Sequence, residues 1–183
     1  MYFNNSPLLT ASLKPNQEII NVLLKELGTT IESFYFQRFG YIRQLEIPSF
    51  ITKIEGYSFL SCPSLTRVKI PSSVTFIGDF VFSRCKSLVE ATIPSSVTEI
   101  GNRVFCKCAK LKGVTISPSM TRIPNGTFEY CSSLLYVIIP NSVTEICDYA
   151  FCQCSNLKSI LIPSSVTVIG DYAFCLCSNL NQI

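Results

Sequence analysis

Ten cysteines, twelve carboxylates and fifteen Lys or Arg side chains are the groups in this 183-residue chain that could do chemistry; there is no histidine. That absence removes the commonest general base, the usual metal ligand and every Ser-His or Cys-His pair. Thiols come first among what remains. Cys106-Lys107-Cys108, Cys152-Gln153-Cys154 and Cys175-Leu176-Cys177 are Cys-x-Cys pairs. Cys152, Cys154, Cys175 and Cys177 could in principle form a tetrathiolate zinc site, but the spacing differs from the usual Cys-x2-Cys knuckle. Elsewhere the first position of the pair holds Leu60, Ser83 or Glu129. A position that admits Glu is expected near solvent, so Cys106, Cys152 and Cys175 are expected to be accessible. Among the carboxylates, Glu99 and Glu145 flank Arg122 at equal spacing, and Asp79, Asp148 and Asp171 alternate with Asn102 and Asn125. Acid–base pairs would not tolerate amides so freely; turn residues making local backbone hydrogen bonds would. We therefore expect no enzymatic activity and no metal or cofactor.

These residues sit on a grid. Ile47-Pro48, Ile70-Pro71, Ile93-Pro94, Ile139-Pro140 and Ile162-Pro163 fall at multiples of 23, and Ile116 takes the missing point with Ser117-Pro118 one residue late. Four further columns keep the same period: Ile54 to Ile169, Phe59 to Phe174, Cys62 to Cys177, and Leu65 to Leu180. A fixed period of about 20–29 residues with recurring apolar columns predicts a stacked solenoid. In each unit the run Leu65-x-x-Val68-x-Ile70 reads as a strand, with Val68 and Ile70 inward and Arg67 and Lys69 outward. The expected fold is a repeat solenoid, mainly β with short helical or irregular segments and one parallel strand per 23-residue repeat. Coils about 4.8 Å apart would bring successive cysteines of one column too far apart for a Cβ separation of about 3.8 Å, which works against disulfides. The cysteine column is expected to pack as small hydrophobes.

Residues 1–29 are read as a lead and a capping helix, and 30–183 as the repeat domain: one degenerate repeat and about six of 23 residues, the last truncated. From Asn16 to Leu27, Ile19, Ile20, Leu23, Leu24 and Leu27 mark one helical face, with Asn16 as N-cap and Gly28 as the stop. Its polar face carries Lys25 against Glu18 and Glu26, which favours a lid on the first coil over a basic membrane-surface helix. At the other end Phe174, Leu180 and Ile183 would leave an open edge, belonging to a longer array or pairing with another chain. Apolar residues at 48% against 15% charged exclude disorder over most of the length. The net charge of +3 is too mild to imply nucleic acid. Met1 to Pro15 shows no basic start before an apolar stretch, and no apolar run reaches the ~18 residues of a membrane span, so an intracellular, reducing location is the default. The sequons at Asn4 and Asn125 are then chance.

The motifs I-P-x-S-V-T-x-I-G, A-F-x-x-C and S/N-L, over about residues 30–183, resemble the BspA-type leucine-rich repeat. The resemblance implies a surface antigen or adhesin of the kind found in some bacteria and anaerobic protozoan parasites, binding host extracellular-matrix proteins or other cells. It places the chain at the cell surface where the missing leader places it in the cytoplasm.

A solenoid's binding face is usually its strand face. One outward ladder reads Gln44, Arg67, Glu90, Gly113, Tyr136, Ser159, Gln182; its neighbour reads Glu46, Lys69, Thr92, Thr115, Ile138, Leu161. Tyr136, Ile138 and Leu161 have the composition of an interface anchor, and Arg67, Lys69 and Glu90 supply charge. β-formers incidentally exposed on a pleated surface are the blander reading. Charge is uneven as well: residues 38–122 hold twelve Lys or Arg against five Asp or Glu, net +7, and 123–183 one against four, net −3. Arg38, Arg84 and Lys107, followed by Lys86, Lys110 and Lys112, form a basic stripe suited to an acidic partner or polyanion, or simply to solubility. The expected function is noncovalent recognition of a protein partner through the strand face. An intracellular scaffold is the alternative, and a thiol-redox or zinc protein the remote one.

Overall fold

A computed structural model describes residues 17–36 and 41–182. Asn4, Asn16, Arg38 and Ile183 lie outside them, as do the side chains of Ile19 and Leu23. Helix α1, Gln17–Glu26, buries Ile20 and Leu24, one turn apart, in the same core as the first coil. Gly28 at φ 75° ends it, with its N–H donated to Lys25.

Eleven short strands follow: β1 Thr30–Ile31, β2 Gln44–Glu46, β3 Lys53–Ile54, β4 Arg67–Lys69, β5 Phe76–Ile77, β6 Glu90–Thr92, β7 Gly113–Thr115, β8 Arg122–Ile123, β9 Tyr136–Ile138, β10 Glu145–Ile146 and β11 Val168–Ile169. They build two parallel ladders, where one strand per repeat was expected. The first runs β2-β4-β6-β7-β9 and continues through bridges Ile138–Leu161 and Ser159–Gln182. All of its pairs join residues 23 apart, so each outward position stands beside its equivalent in the next coil. The second ladder passes through the Ile column and is broken into β1-β3-β5 and β8-β10-β11.

A proline stands at the break. Gly78, Gly101, Cys147 and Gly170 each donate N–H to the isoleucine carbonyl of the preceding coil (Ile54, Ile77, Ile123, Ile146) at 2.7–2.9 Å. Pro124 stands in this column and has no N–H to give to Ile100.

Between the ladders the chain turns twice through the left-handed region. Phe34, Tyr57, Phe80, Arg103, Gly126, Tyr149 and Tyr172 form one such column, and Ser61, Arg84, Lys107, Tyr130, Gln153 and Leu176 the other, all at φ 56–64°. Such backbone costs a non-glycine residue roughly 1–2 kcal/mol, and the stacking offsets it. In each regular junction both left-handed N–H groups and the intervening Phe N–H donate to the next coil, as in Phe80 to Asn102, Phe82 to Val104 and Arg84 to Cys106 (2.8–2.9 Å). The prolines close a further turn, with Val74, Val97, Val143 and Val166 donating to Pro71, Pro94, Pro140 and Pro163.

The core is a set of columns. Phe36, Phe59, Phe82, Phe105, Phe128, Phe151 and Phe174 form a continuous stack with ring centroids 4.5–5.8 Å apart and planes within 19°. The cysteine column runs beside it, buried except for the half-buried Cys177, and each thiol has a polar task beyond packing. Cys85, Cys108, Cys131 and Cys154 donate S–H to Phe59, Phe82, Phe105 and Phe128 carbonyls of the preceding coil at 3.1–3.2 Å.

The Asp and Asn column acts between coils rather than locally: Asp79 Oδ1 accepts the Asn102 N–H (2.6 Å), and Asp148 Oδ1 that of Asp171 (2.8 Å). The glycine column makes room for it. A Cβ on Gly101 would lie 2.4 Å from the Asp79 nitrogen and 2.5 Å from its Oδ1. Gly101→Ala is accordingly expected to lower stability by about 1–3 kcal/mol, read as a fall in the urea midpoint. An unchanged midpoint would show that the coils can separate without loss.

Candidate interaction surface

The outward strand residues stand in two files, as their parallel register requires. In the early coils Arg67 and Glu90 are paired in register, and Lys69 Nζ lies 3.6 Å from Glu46 Oε1. Both of the latter side chains are mostly exposed, so the pair adds little stability. In the later coils the face turns apolar: Tyr136, Ile138 and Leu161 are 53%, 75% and 83% exposed. Ile138 and Leu161 are bridged neighbours. The structure thus brings this trio together and keeps it apart from Arg67, Lys69 and Glu90. Three strand spacings separate Lys69 from Ile138, about 14 Å.

Tyr136 is held in place by a neighbour. A Cβ on Gly113 would lie 2.4 Å from Tyr136 Cζ and 2.7 Å from Oη, so the ring lies back across the bare backbone of β7. An aromatic covering a strand glycine is fixed before any partner arrives. Two apolar residues that strand alternation did not pick out extend the patch. Leu135 is exposed just before β9, and Tyr130 sits at a left-handed position with Lys107 Nζ 5.1 Å from its ring centroid. Leu135 is the bulkiest apolar member of a column that holds Thr66, Val89, Lys112 and Lys158 elsewhere.

The cationic flank adjoins this patch. Arg84, Lys86, Lys107, Lys110 and Lys112 are all exposed, on the arc leading from the second left-handed position into the strand.

The thiols are placed otherwise than expected. All ten are free, but Cys106 and Cys152 are buried and only Cys175 of the three is partly open. Glu129 misled the inference because it too is buried, its carboxylate held 3.3 Å from the Arg103 guanidinium and accepting the Cys106 thiol at 3.7 Å. No group of three or more metal-binding side chains converges among the described residues. Arg122 and Glu145 adjoin Cys147; Arg122 Nε is buried without a hydrogen-bond partner, and neither ion pair of the described residues involves Arg122.

Burial is the main reason that Cys106, Cys147 and Cys152 are raised from 9.0 to about 11, with Glu129, Glu145 and Cys175 respectively adding to it. A thiol raised on folding stabilises the fold fully below its unfolded value and loses that contribution as pH rises through its folded value. The melting temperature is therefore expected to fall between pH 9 and 11, more shallowly in the Cys106→Ala/Cys147→Ala/Cys152→Ala variant. Identical slopes would assign the alkaline loss to other groups, foremost the core thiols Cys85, Cys108, Cys131 and Cys154, which are raised as well.

Similar structures are known. A leucine-rich cell surface protein from Faecalibacterium prausnitzii shares 30% identity over 85% of this chain, TM-score 0.65, and this chain covers 50% of it. A leucine-rich repeat protein from Bacteroides ovatus shares 30% identity over 79% of this chain, TM-score 0.62, with 44% of its own length covered. The leucine-rich repeat protein of T. pallidum shares 28% identity over 78% of this chain and 80% of its own, TM-score 0.65. The chain thus spans about half the length of the first two. Among curated proteins none matches. The BspA type leucine rich repeat region matches residues 13–135 and 52–181, in six copies. With its Ile, Phe, Cys and Leu columns turned inward up to the last coil, where Ile169 is exposed, and its coils paired 23 residues apart, the chain belongs to the BspA-type leucine-rich repeat family.

Proposed function

We propose that the chain is a noncatalytic recognition module that binds another protein through the outward side of its first strand ladder, in the manner of a surface antigen or adhesin. The observation that carries this is the trio Tyr136, Ile138 and Leu161, exposed side by side on a rigid ladder with the tyrosine ring already fixed over Gly113. Exposed aromatic and aliphatic anchors on a preformed surface lose little freedom on binding. Likeness to a cell surface protein of Faecalibacterium prausnitzii supports an outward-facing role, and host or cell-surface macromolecules are the partners that role suggests.

The test is Tyr136→Ser/Ile138→Ser/Leu161→Ser against a panel of immobilised extracellular-matrix proteins. The three side chains are exposed, so the melting temperature should hold while affinity for any protein bound by the parent chain falls by about tenfold or more. Equal affinity in a folded variant would remove the strand face from the contact. Surface biotinylation of intact cells separates this reading from an intracellular scaffold.

A further inference from the structure

The flank beside the apolar trio restricts what the partner can be. Arg84 and Lys107 occupy the same position of successive coils, and Lys86, Lys110 and Lys112 lie between them and the strands. All five are exposed, and none belongs to an ion pair among the described residues. Residues 84–112 hold only two carboxylates. Glu90 lies on the strand face in register with Arg67, and Glu99 precedes Ile100 of the second ladder.

The cations and the apolar patch form one surface. Lys112 immediately precedes Gly113, the residue roofed by the Tyr136 ring, and its column continues as exposed Leu135 in the next coil. Lys107 stands over Tyr130. A ligand seated on Tyr136, Ile138 and Leu161 therefore meets a margin of positive charge on the side of the preceding coils.

We infer that this flank is the carboxylate-binding margin of the protein-contact surface, and that the partner offers a polypeptide segment in which apolar side chains are flanked by Asp or Glu. The inference rests on the strand-face reading above and specifies its partner. Charge complementarity at such a margin steers association and fixes register. A linear polyanion fits less well. It would have nothing to set on Leu135, Ile138 and Leu161, and running along the rod it would leave the basic coils for residues 123–183, whose net charge is −3.

Fluorescence anisotropy on the intact chain tests this with three probes: a twelve-residue peptide of Glu and Ser, a second carrying Leu at every fourth position, and a heparin dodecasaccharide. The Leu-bearing peptide is expected to bind about tenfold more tightly than its Ser counterpart, and both more weakly as salt rises. Lys86→Glu/Lys110→Glu/Lys112→Glu should weaken both peptides by about tenfold or more, with the corresponding Gln variant intermediate; both sets leave the core untouched. Tyr136→Ser/Ile138→Ser/Leu161→Ser should erase the difference between the peptides and leave binding of the Glu/Ser peptide as it was. The inference is overturned if heparin binds more tightly than either peptide, if the lysine variants bind as the parent does, or if neither peptide binds. Should the lysines matter while both peptides bind alike, the strand-face reading falls and the acidic-partner margin stands.

Discussion

Phe105→Ala is expected to cost about 3–5 kcal/mol, the range for emptying an aromatic site in a packed core. Phe105 is fully buried at the middle of the phenylalanine stack, and its ring separations, 5.6 Å to Phe82 and 5.8 Å to Phe128, are the widest in that stack. Neighbouring coils cannot close the gap, because their spacing is set by backbone hydrogen bonds on either side: Phe82 to Val104 at 2.9 Å and Phe105 to Thr127 at 3.0 Å. Total stability of about 5–15 kcal/mol would lose a large share. Because each coil touches only its neighbours, the loss falls on the two junctions that Phe105 joins, to the coils of Phe82 and Phe128. Urea melts followed by circular dichroism should therefore show a lowered midpoint and a broadened or split transition. A loss below about 1 kcal/mol with a single sharp transition would show that the stack is not what couples the coils.

Arg103→Ala should be costly although the site is partly exposed, at about 1–3 kcal/mol. That lies between the values for exposed and for buried pairs, since solvent screens the arginine, 41% exposed, better than Glu129, 12% exposed. Arg103 reaches its partner by lying along Gly126, where a Cβ would come within 2.9 Å of the arginine Cγ. Without the guanidinium, the enclosed carboxylate keeps, among the described residues, only the weak Cys106 thiol as a side-chain donor. Glu129→Gln removes the charge and should recover part of the loss, so that the double variant is more stable than Arg103→Ala alone. A double-mutant cycle reads this directly. Additive losses would mean that the ion pair contributes nothing of its own.

Much of this architecture was legible in the chain. Ile77, Phe82, Cys85 and Leu88 recur at a fixed spacing and are fully buried, because stacking makes one coil's interior the next coil's interior. Ile20 and Leu24 followed from helical spacing. The backbone was harder to read. Tyr57, Phe80, Arg84 and Lys107 adopt left-handed conformations that composition assigns to glycine or asparagine, and only the hydrogen bonds of the adjacent coil explain them. The second ladder escaped notice because its strands are two residues long, too short for an alternation to register. The aspartates resemble local turn formers in the sequence, since a bond to a residue 23 positions away leaves no local signature. At the candidate surface the trio was recognisable from alternation, whereas the support of Tyr136 by Gly113 was not, because it joins different coils.

Pro124 has a mechanical consequence. A rod of stacked coils pulled or bent by a load yields where the fewest cross-links span a seam. At this seam the arc bearing Arg103 and Phe105 stays stitched to Asn125 and Thr127, and the first ladder stays stitched from Leu135 to Lys112, while the Ile100 side lacks its tie. Under shear the two halves would tilt about the stitched sides, opening like a book at that page, with the cationic flank on one cover and Tyr136 on the other.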